Sequence, residues 1–436
     1  MDLNVSSILG FYGSDEASHY VFRHAVRLKE NVTKECLEKA VQISMQRYPY
    51  HSIEVKAKDD DGNYCIEHND RHVVVTKAQA AVKLLSKAAN YHMHVICYKG
   101  HNIFFDVHKA FAEPVMYMKF VKTVIYYYLI EKYHCDLNTV GIRLADSRLH
   151  AGECDDPLNT LEPEVLDEIE SEDESAEIED ELEDEDCGNE QSFIMKFSDF
   201  GYEKKKTLYR IEMDEKSFVQ YSKQRDGSPA AVLSSFMFKA ISNVHPDLDR
   251  EIVCGMYHNA RHATDNLKTH CNISNIVTVP YSPKLKDKDV PFLATVTRGR
   301  VIINSEDEVV RKGLEDKVLQ CREVLAESGL ENKRRVAHSI MERKYKNITY
   351  QIKYIGKILF GNLEPYIESM YTYEDTGIVD LRVVINVIHN RFCISFMKEF
   401  SNDVYVKEFV RILEETGIVV DVAGPKDNRT PEVDAD

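Results

Sequence analysis

A chain of 436 residues is long enough for two domains with a core in each. Its 43% hydrophobic and 29% charged residues are ordinary for a soluble protein. The formal charge of −18 is a local property: twenty Asp or Glu and no Lys or Arg lie between Glu153 and Glu190, and without those acids the charge is +2. No basic stripe is left to meet phosphates, which argues against nucleic acid as a partner. No apolar run reaches the length of a membrane span, and the first residues lack a basic region and an apolar signal core, so a cytoplasmic location is expected. Ten cysteines without a CxxC pair fit reduced thiols rather than disulfides or a zinc site.

In chain order, Tyr20–Lys29 reads as a strand. A helix with Thr33 as N-cap follows, carries Leu37, Ala40, Val41 and Ser44 on one stripe, and stops at Pro49. His51–Val55 and Tyr64–Glu67 flank Asp59-Asp60-Asp61-Gly62-Asn63, a hairpin signal. Strands are predicted near His92–Tyr98 and Asn102–Phe105. Next come a polar bend, His108 to Pro114, and a long helix with Val115, Met118, Val121, Ile125 and Leu129 in phase. The acidic run at residues 153–192 repels itself and has little to bury, so it reads as a disordered linker.

After it the plan repeats. Thr207–Met213 is a strand, and Asp214 caps a helix. Gly227-Ser228-Pro229 gives a stop, a cap and a first-turn proline. Ile252–Tyr257 and Asn275–Val279 are strands, and Ser305-Glu306-Asp307-Glu308 is a capping box. Val383–Ile388 and Phe392–Phe396 form a hairpin turned at His389-Asn390, and a helix from Asp403 ends before Gly417. The expected organisation is an α+β fold of two similar lobes, residues 1–152 and 193–424, with a disordered tail at 425–436 and a cleft between the lobes. Clefts of this kind hold small-molecule sites.

The order of elements resembles the chloramphenicol acetyltransferase-like superfamily, which includes condensation domains and alcohol acyltransferases. Arg47-Tyr48-Pro49 resembles the family's "R-x-P" helix exit. Asn259-Ala260-Arg261 with Ser274-Asn275 resembles its "N-x-R … G-N" region, and Tyr354-Ile355-Gly356 its "S-Y-x-G" strand. The family signature H-H-x-x-x-D-G is degenerate here. One register sets His108 and Lys109 on the two histidines, Glu113 on the Asp and Pro114 on the Gly. The other slides by one residue and makes His108 the catalytic histidine.

The resemblance implies transfer of an acyl group from a coenzyme A or phosphopantetheine thioester to a hydroxyl or amine. The donor would be an acyl-CoA or a carrier protein, the acceptor a small molecule, and the chain a monomer whose two lobes supply both sides of the site. His108, Lys109 and Glu113 would be the catalytic group, and Arg261, Asn275 and Tyr354 the substrate-binding group. A general base needs a pKa near the operating pH, which imidazole has and an amine lacks. Lys109 therefore reads as an ion-paired loop residue unless burial or neighbouring cations lower it. Arg261 reads either as a substrate anchor or as a brace that pairs with an acid such as Glu113. His92 and His94 share a strand face, but spacing supplies no third metal ligand, and a solvent-facing strand edge accounts for them. No phosphate-loop, zincin or nucleophile-elbow motif is present in the sequence. Two readings stay open: a thioester-dependent acyltransferase, or a relative without activity that uses the cleft to bind a ligand or partner.

Overall fold

The computed structural model describes residues 1–14, 20–78, 82–163 and 194–427. The greater part of the acidic linker and residues 428–436 of the C-terminal tail lie outside the described residues, while 425–427 belong to the last strand.

The first part of the chain runs α1 (Val5–Tyr12), β1 (Val21–Leu28), α2 (Lys34–Arg47), β2 (Ile53–Ala57), β3 (Tyr64–His68), β4 (Val75–Lys77), β5 (His94–Lys99), β6 (Asn102–His108) and α3 (Pro114–Tyr133). Beyond the linker come β7 (Lys204–Asp214), α4 (Glu215–Lys223), α5 (Pro229–Val244), β8 (Ile252–Asn259), β9 (Ser274–Tyr281), α6 (Val290–Ile303), α7 (Asp307–Ala326) and α8 (Leu330–Tyr345). The chain closes with β10 (Tyr350–Lys357), β11 (Ile367–Glu374), β12 (Leu381–Ile388), β13 (Arg391–Phe400), α9 (Val404–Glu414) and β14 (Val420–Asp427).

Strands β2 and β3 pair as a separate antiparallel hairpin, and the other twelve make two mixed sheets, each flanked by helices. One has the order β11-β1-β6-β5-β4, the other β14-β7-β13-β12-β10-β8-β9. The first core joins α2 and α3 to sheet one through Leu37, Val41, Phe105, Phe120 and Val124. The second joins α5 and α9 to sheet two through Phe236, Ile241, Ile394 and Phe409. The fold is α+β with two lobes of similar design.

One strand breaks the simple repeat. β11 leaves the second half of the chain and pairs antiparallel with β1, Phe22 opposite Glu374, so Ile367 and Met370 pack in the first core. Helices α7 and α8 likewise pack on α1. The lobes are therefore interlocked rather than strung in sequence.

Several local signals act as the sequence predicts. Asp214 accepts from the Ser217 N–H at 2.7 Å, Ser228 from the Ala231 N–H at 3.3 Å, and Pro114 and Pro229 occupy the first turns of α3 and α5. His389 and Asn390 take positive φ, 51° and 57°, as a tight β12–β13 turn requires. Two signals act differently. Thr33 and Glu306 stand at N-cap positions without side-chain capping bonds, so the box at residues 305–308 is not formed, and Ser305 Oγ lies 3.4 Å from His258 Nδ1 instead.

His92 and His94 correct the strand-edge expectation. Both are fully buried, His94 Nδ1 lying 2.6 Å from the Tyr117 hydroxyl and His92 Nε2 2.7 Å from the Arg71 carbonyl. The reason is topological: Tyr117 and Phe120 of α3 cover His94, and β4 pairs with β5 along what would otherwise be its open edge. The beginning of the acidic stretch is also interior. Glu153 is 1% exposed and bridges Arg47 and Arg143. Its charge balances two guanidinium groups instead of repelling its neighbours.

Candidate functional site

The site grows from the ends of three adjacent strands. Because β1 lies between β6 and β11, the residues after Val21 and before it meet both neighbours: the Lys109 N–H donates to the Tyr20 carbonyl at 2.9 Å, and the Asp375 N–H to the Val21 carbonyl at 3.1 Å. Lys109, Tyr20 and Glu374 are thus brought together from three distant parts of the sequence.

Lys109, 6% exposed, points its ammonium at the Glu374 carboxylate, 3.1 Å away. The Asp375 carbonyl lies 3.4 Å from the same nitrogen, and the Tyr20 ring 5.4 Å from it. Glu374 also pairs with Lys353 on β10 at 2.8 Å and with Arg382 on β12 at 3.2 Å. The Arg382 fork is held by Gln351 Oε1, at 2.8 Å from Nε, so sheet two supplies two of the three cations on this acid. Burial alone would raise the Glu374 carboxyl; the three cations overcome it and hold the group well below the usual carboxylate range. Burial pushes Lys109 down to about 7 against the opposing pull of Glu374, and the charges of Arg382 and Lys353 add to the fall.

Two cavities meet at this point. One encloses about 720 Å³, partly open to solvent, between α1, α7, α8, β9 and β10. The other, about 460 Å³, lies towards Thr376–Val379 and Arg382. They share Tyr20, Lys109, Tyr257, Met341 and Tyr345. The cleft between the lobes is therefore a passage with Lys109 at its middle.

The other sequence candidates fall elsewhere. His108 ends β6 and Lys109 follows it in a turn, where the two side chains part: Lys109 lines both cavities. His108 packs on Tyr20 and Phe111, with ring centroids 6.2 and 5.5 Å away, and its Nδ1 accepts from the Ala110 N–H at 3.3 Å. Burial and the charge of Lys109 lower its pKa to about 4, and its ring lines neither cavity. The register that sets Lys109 on the second histidine is thus the one that places a side chain in the passage.

Glu113 and Arg261 do meet, in a buried ion pair from the β6–α3 bend to the segment after β8. The rest of the Arg261 fork goes to the carbonyls of Thr269 and Cys271 and to Asn259 Oδ1, and the side chain is buried and lines neither cavity. Asn275 faces α7, where a Cβ on Gly313 would come within 2.7 Å of its Nδ2; its neighbours Ser274 and Ile276 line the cavity. Tyr354 is 43% exposed and lines neither cavity, whereas Lys353, one step back on the strand, does. The period of two decides both cases.

Sequence reading missed Lys353, Glu374 and Arg382. For Lys353 and Arg382 a signal was present, since each is a charged residue inside an otherwise apolar strand, where an unpaired charge is too costly to tolerate; Glu374, at the end of β11 beside Asp375, gave none. Lys317 and Lys344, which also line the larger cavity, gave no signal, because a lysine on an amphipathic helix reads as solvated surface.

With this geometry in place, solved structures of similar shape can be set beside it. Polyketide synthase associated protein 5 from Mycobacterium tuberculosis has a TM-score of 0.60 at 10% identity, over 94% of this chain and 96% of that one. TRI101 from F. sporotrichioides, complexed with coenzyme A and T-2, has a TM-score of 0.60 at 11% identity, over 97% and 100%. The condensation domain of the monacolin K polyketide synthase MokA has a TM-score of 0.55 at 9% identity, over 95% and 96%. The chain has the chloramphenicol acetyltransferase-like fold. No family model and no curated protein matches its sequence. Among the described residues, no helix is long and apolar enough to cross a membrane.

Proposed function

We propose that this chain is a non-catalytic relative of the thioester-dependent acyltransferases, and that it uses the passage between its lobes to bind a small molecule. The observation that carries this reading is the Lys109–Glu374 pair. A base must offer a lone pair to the acceptor hydroxyl or amine, and here the side chain in the passage is an ammonium directed at a carboxylate and a carbonyl. His108 is packed between aromatic rings away from the passage, and His338, which lines the smaller cavity from α8, has Nε2 3.4 Å from the Glu342 carboxylate and a side chain that is 44% exposed. Pro114 stands where the family signature has the glycine that lets a thioester donor approach the backbone closely.

One observation favours a second reading. Burial that brings Lys109 to about 7 makes a neutral amine accessible at physiological pH, which would serve an acyltransferase with lysine as base and an acyl-CoA or carrier-bound thioester as donor. Acyl-CoA turnover by the purified full chain separates the two. The binding reading expects no thiol release above the uncatalysed rate with any acyl chain length, and no difference between wild type, Lys109→Ala and His108→Ala. Turnover abolished by Lys109→Ala alone would establish the second reading.

A further inference from the structure

The larger cavity contains more positive charge than its own acids can balance. Four lysines line it, Lys109, Lys317, Lys344 and Lys353, against one carboxylate, Glu374. That carboxylate is already shared by Lys109, Lys353 and Arg382. Lys317 on α7 makes its hydrogen bond to a backbone carbonyl, that of Asn272, at 3.2 Å. Lys344 on α8 has no carboxylate within ion-pairing distance among the described residues. Asp156, an acid outside the cavity that acts on Lys317 by its charge, accepts from the N–H groups of Ser6 at 2.8 Å and Leu158 at 3.0 Å.

Like charges held together repel and lose their protons more easily. Lys317 is half-buried in the cavity wall, and Lys344 reaches the same cavity from an exposed position on α8. A fold can relieve such a cluster by binding an anion there. Lysine suits this role, since its three donors rotate freely about a point charge and meet tetrahedral or clustered anionic oxygens equally well. Tyr20, Tyr257 and Tyr345 add hydroxyl donors and ring faces beside the lysines.

Building on the ligand-binding reading above, we propose that this cavity binds a small organic ligand through a multiply charged anionic group seated between Lys317 and Lys344. Phosphate esters and polycarboxylates share that chemistry, and the test separates them. Thermal unfolding and calorimetric titration of the full chain would use sodium pyrophosphate and sodium citrate, each against sodium chloride at the same ionic strength. The expected result is a rise in melting temperature with at least one of the two anions beyond that with chloride. Lys317→Gln and Lys344→Gln should each weaken binding of that anion at least about tenfold, while Lys39→Gln, on the outer surface, leaves it unchanged. Pyrophosphate alone would identify a phosphate site, and citrate alone a carboxylate site. Stabilisation no greater than with chloride, or equal affinity in wild type and both cavity variants, would overturn the proposal. Its failure is distinct from failure of the non-catalytic reading: thioester turnover in the same preparation would refute that reading and leave the anion titration to be judged by itself.

Discussion

Lys109 and Glu374 come from the ends of the two strands that flank β1, and their side chains meet at 3.1 Å in the wall of the passage. Glu374 is the hub of that wall, because Lys353 and Arg382 reach the same carboxylate from the other sheet. Removing the acid leaves three buried cations without a counter-charge. Glu374→Gln is expected to cost about 3–5 kcal/mol in urea unfolding, the range for breaking a buried pair by deleting one partner. Adding Lys109→Met should recover part of the loss, since one of the stranded charges goes with it. A loss below about 1 kcal/mol for the single variant would show that the cations find other partners.

Acid should destabilise the protein well before its carboxylates titrate. His24 and His108 are buried and have pKa values pushed down to about 4, and His51 and His94 lie well below the usual imidazole value, in each case chiefly through burial. Below pH 6.5 the unfolded chain takes up protons at these positions and the folded chain does not. Stability therefore falls with pH between about 6.5 and 4. His24 and His108 should each contribute roughly 2 kcal/mol of that loss by pH 5, judged from their shifts. Urea midpoints at pH 7.5, 6 and 5 measure it. His108→Gln, which cannot titrate, should flatten the slope.

The two-lobed plan was legible because it rests on local rules. Alternating strands, first-turn prolines and Asp or Ser caps needed no knowledge of distant contacts, and the Glu113–Arg261 pair was among the alternatives that residue chemistry suggested. The site was not legible in the same way. Its centre depends on β11 crossing into the first sheet, which no local pattern announces, so Glu374 could not be set beside Lys109 from sequence. Asn275 and Tyr354 show a finer limit: the resemblance selects the right strand, but one step of register decides which side chain enters the cavity. His92 and His94 show the reverse error. Two polar residues at alternate positions read as a wet face, whereas here both rings are buried with one nitrogen of each partnered, by a hydroxyl and a carbonyl, and the other left without a partner among the described residues.

Glu153 opens the acidic stretch yet behaves as a core residue. Arg47 holds both of its oxygens, at 2.9 and 3.1 Å, and Arg143 shares one of them. Glu153→Gln should destabilise the chain by about 2–3 kcal/mol, because the buried Arg47 and the half-buried Arg143 lose their counter-charge while one acceptor oxygen stays. Asp155→Asn, two residues on and exposed, should cost less than about 0.5 kcal/mol. Equal effects would mean that overall charge, not the Arg47 pair, sets the response.

Arg261 is the clearest case in which bracing and substrate binding give different results. Its fork serves Glu113, Asn259 Oδ1 and the carbonyls of Thr269 and Cys271 together, a geometry that a single ammonium cannot reproduce. Arg261→Lys should therefore lower stability by about 2 kcal/mol or more. A double-mutant cycle with Glu113→Gln should give a coupling of at least about 1 kcal/mol, as expected for residues in one buried network. Anion binding in the cavity should survive in the fraction that folds, because Arg261 does not line it. If Arg261→Lys instead kept full stability and abolished that binding, the guanidinium would be a ligand anchor, and the Glu113 pair only its resting partner.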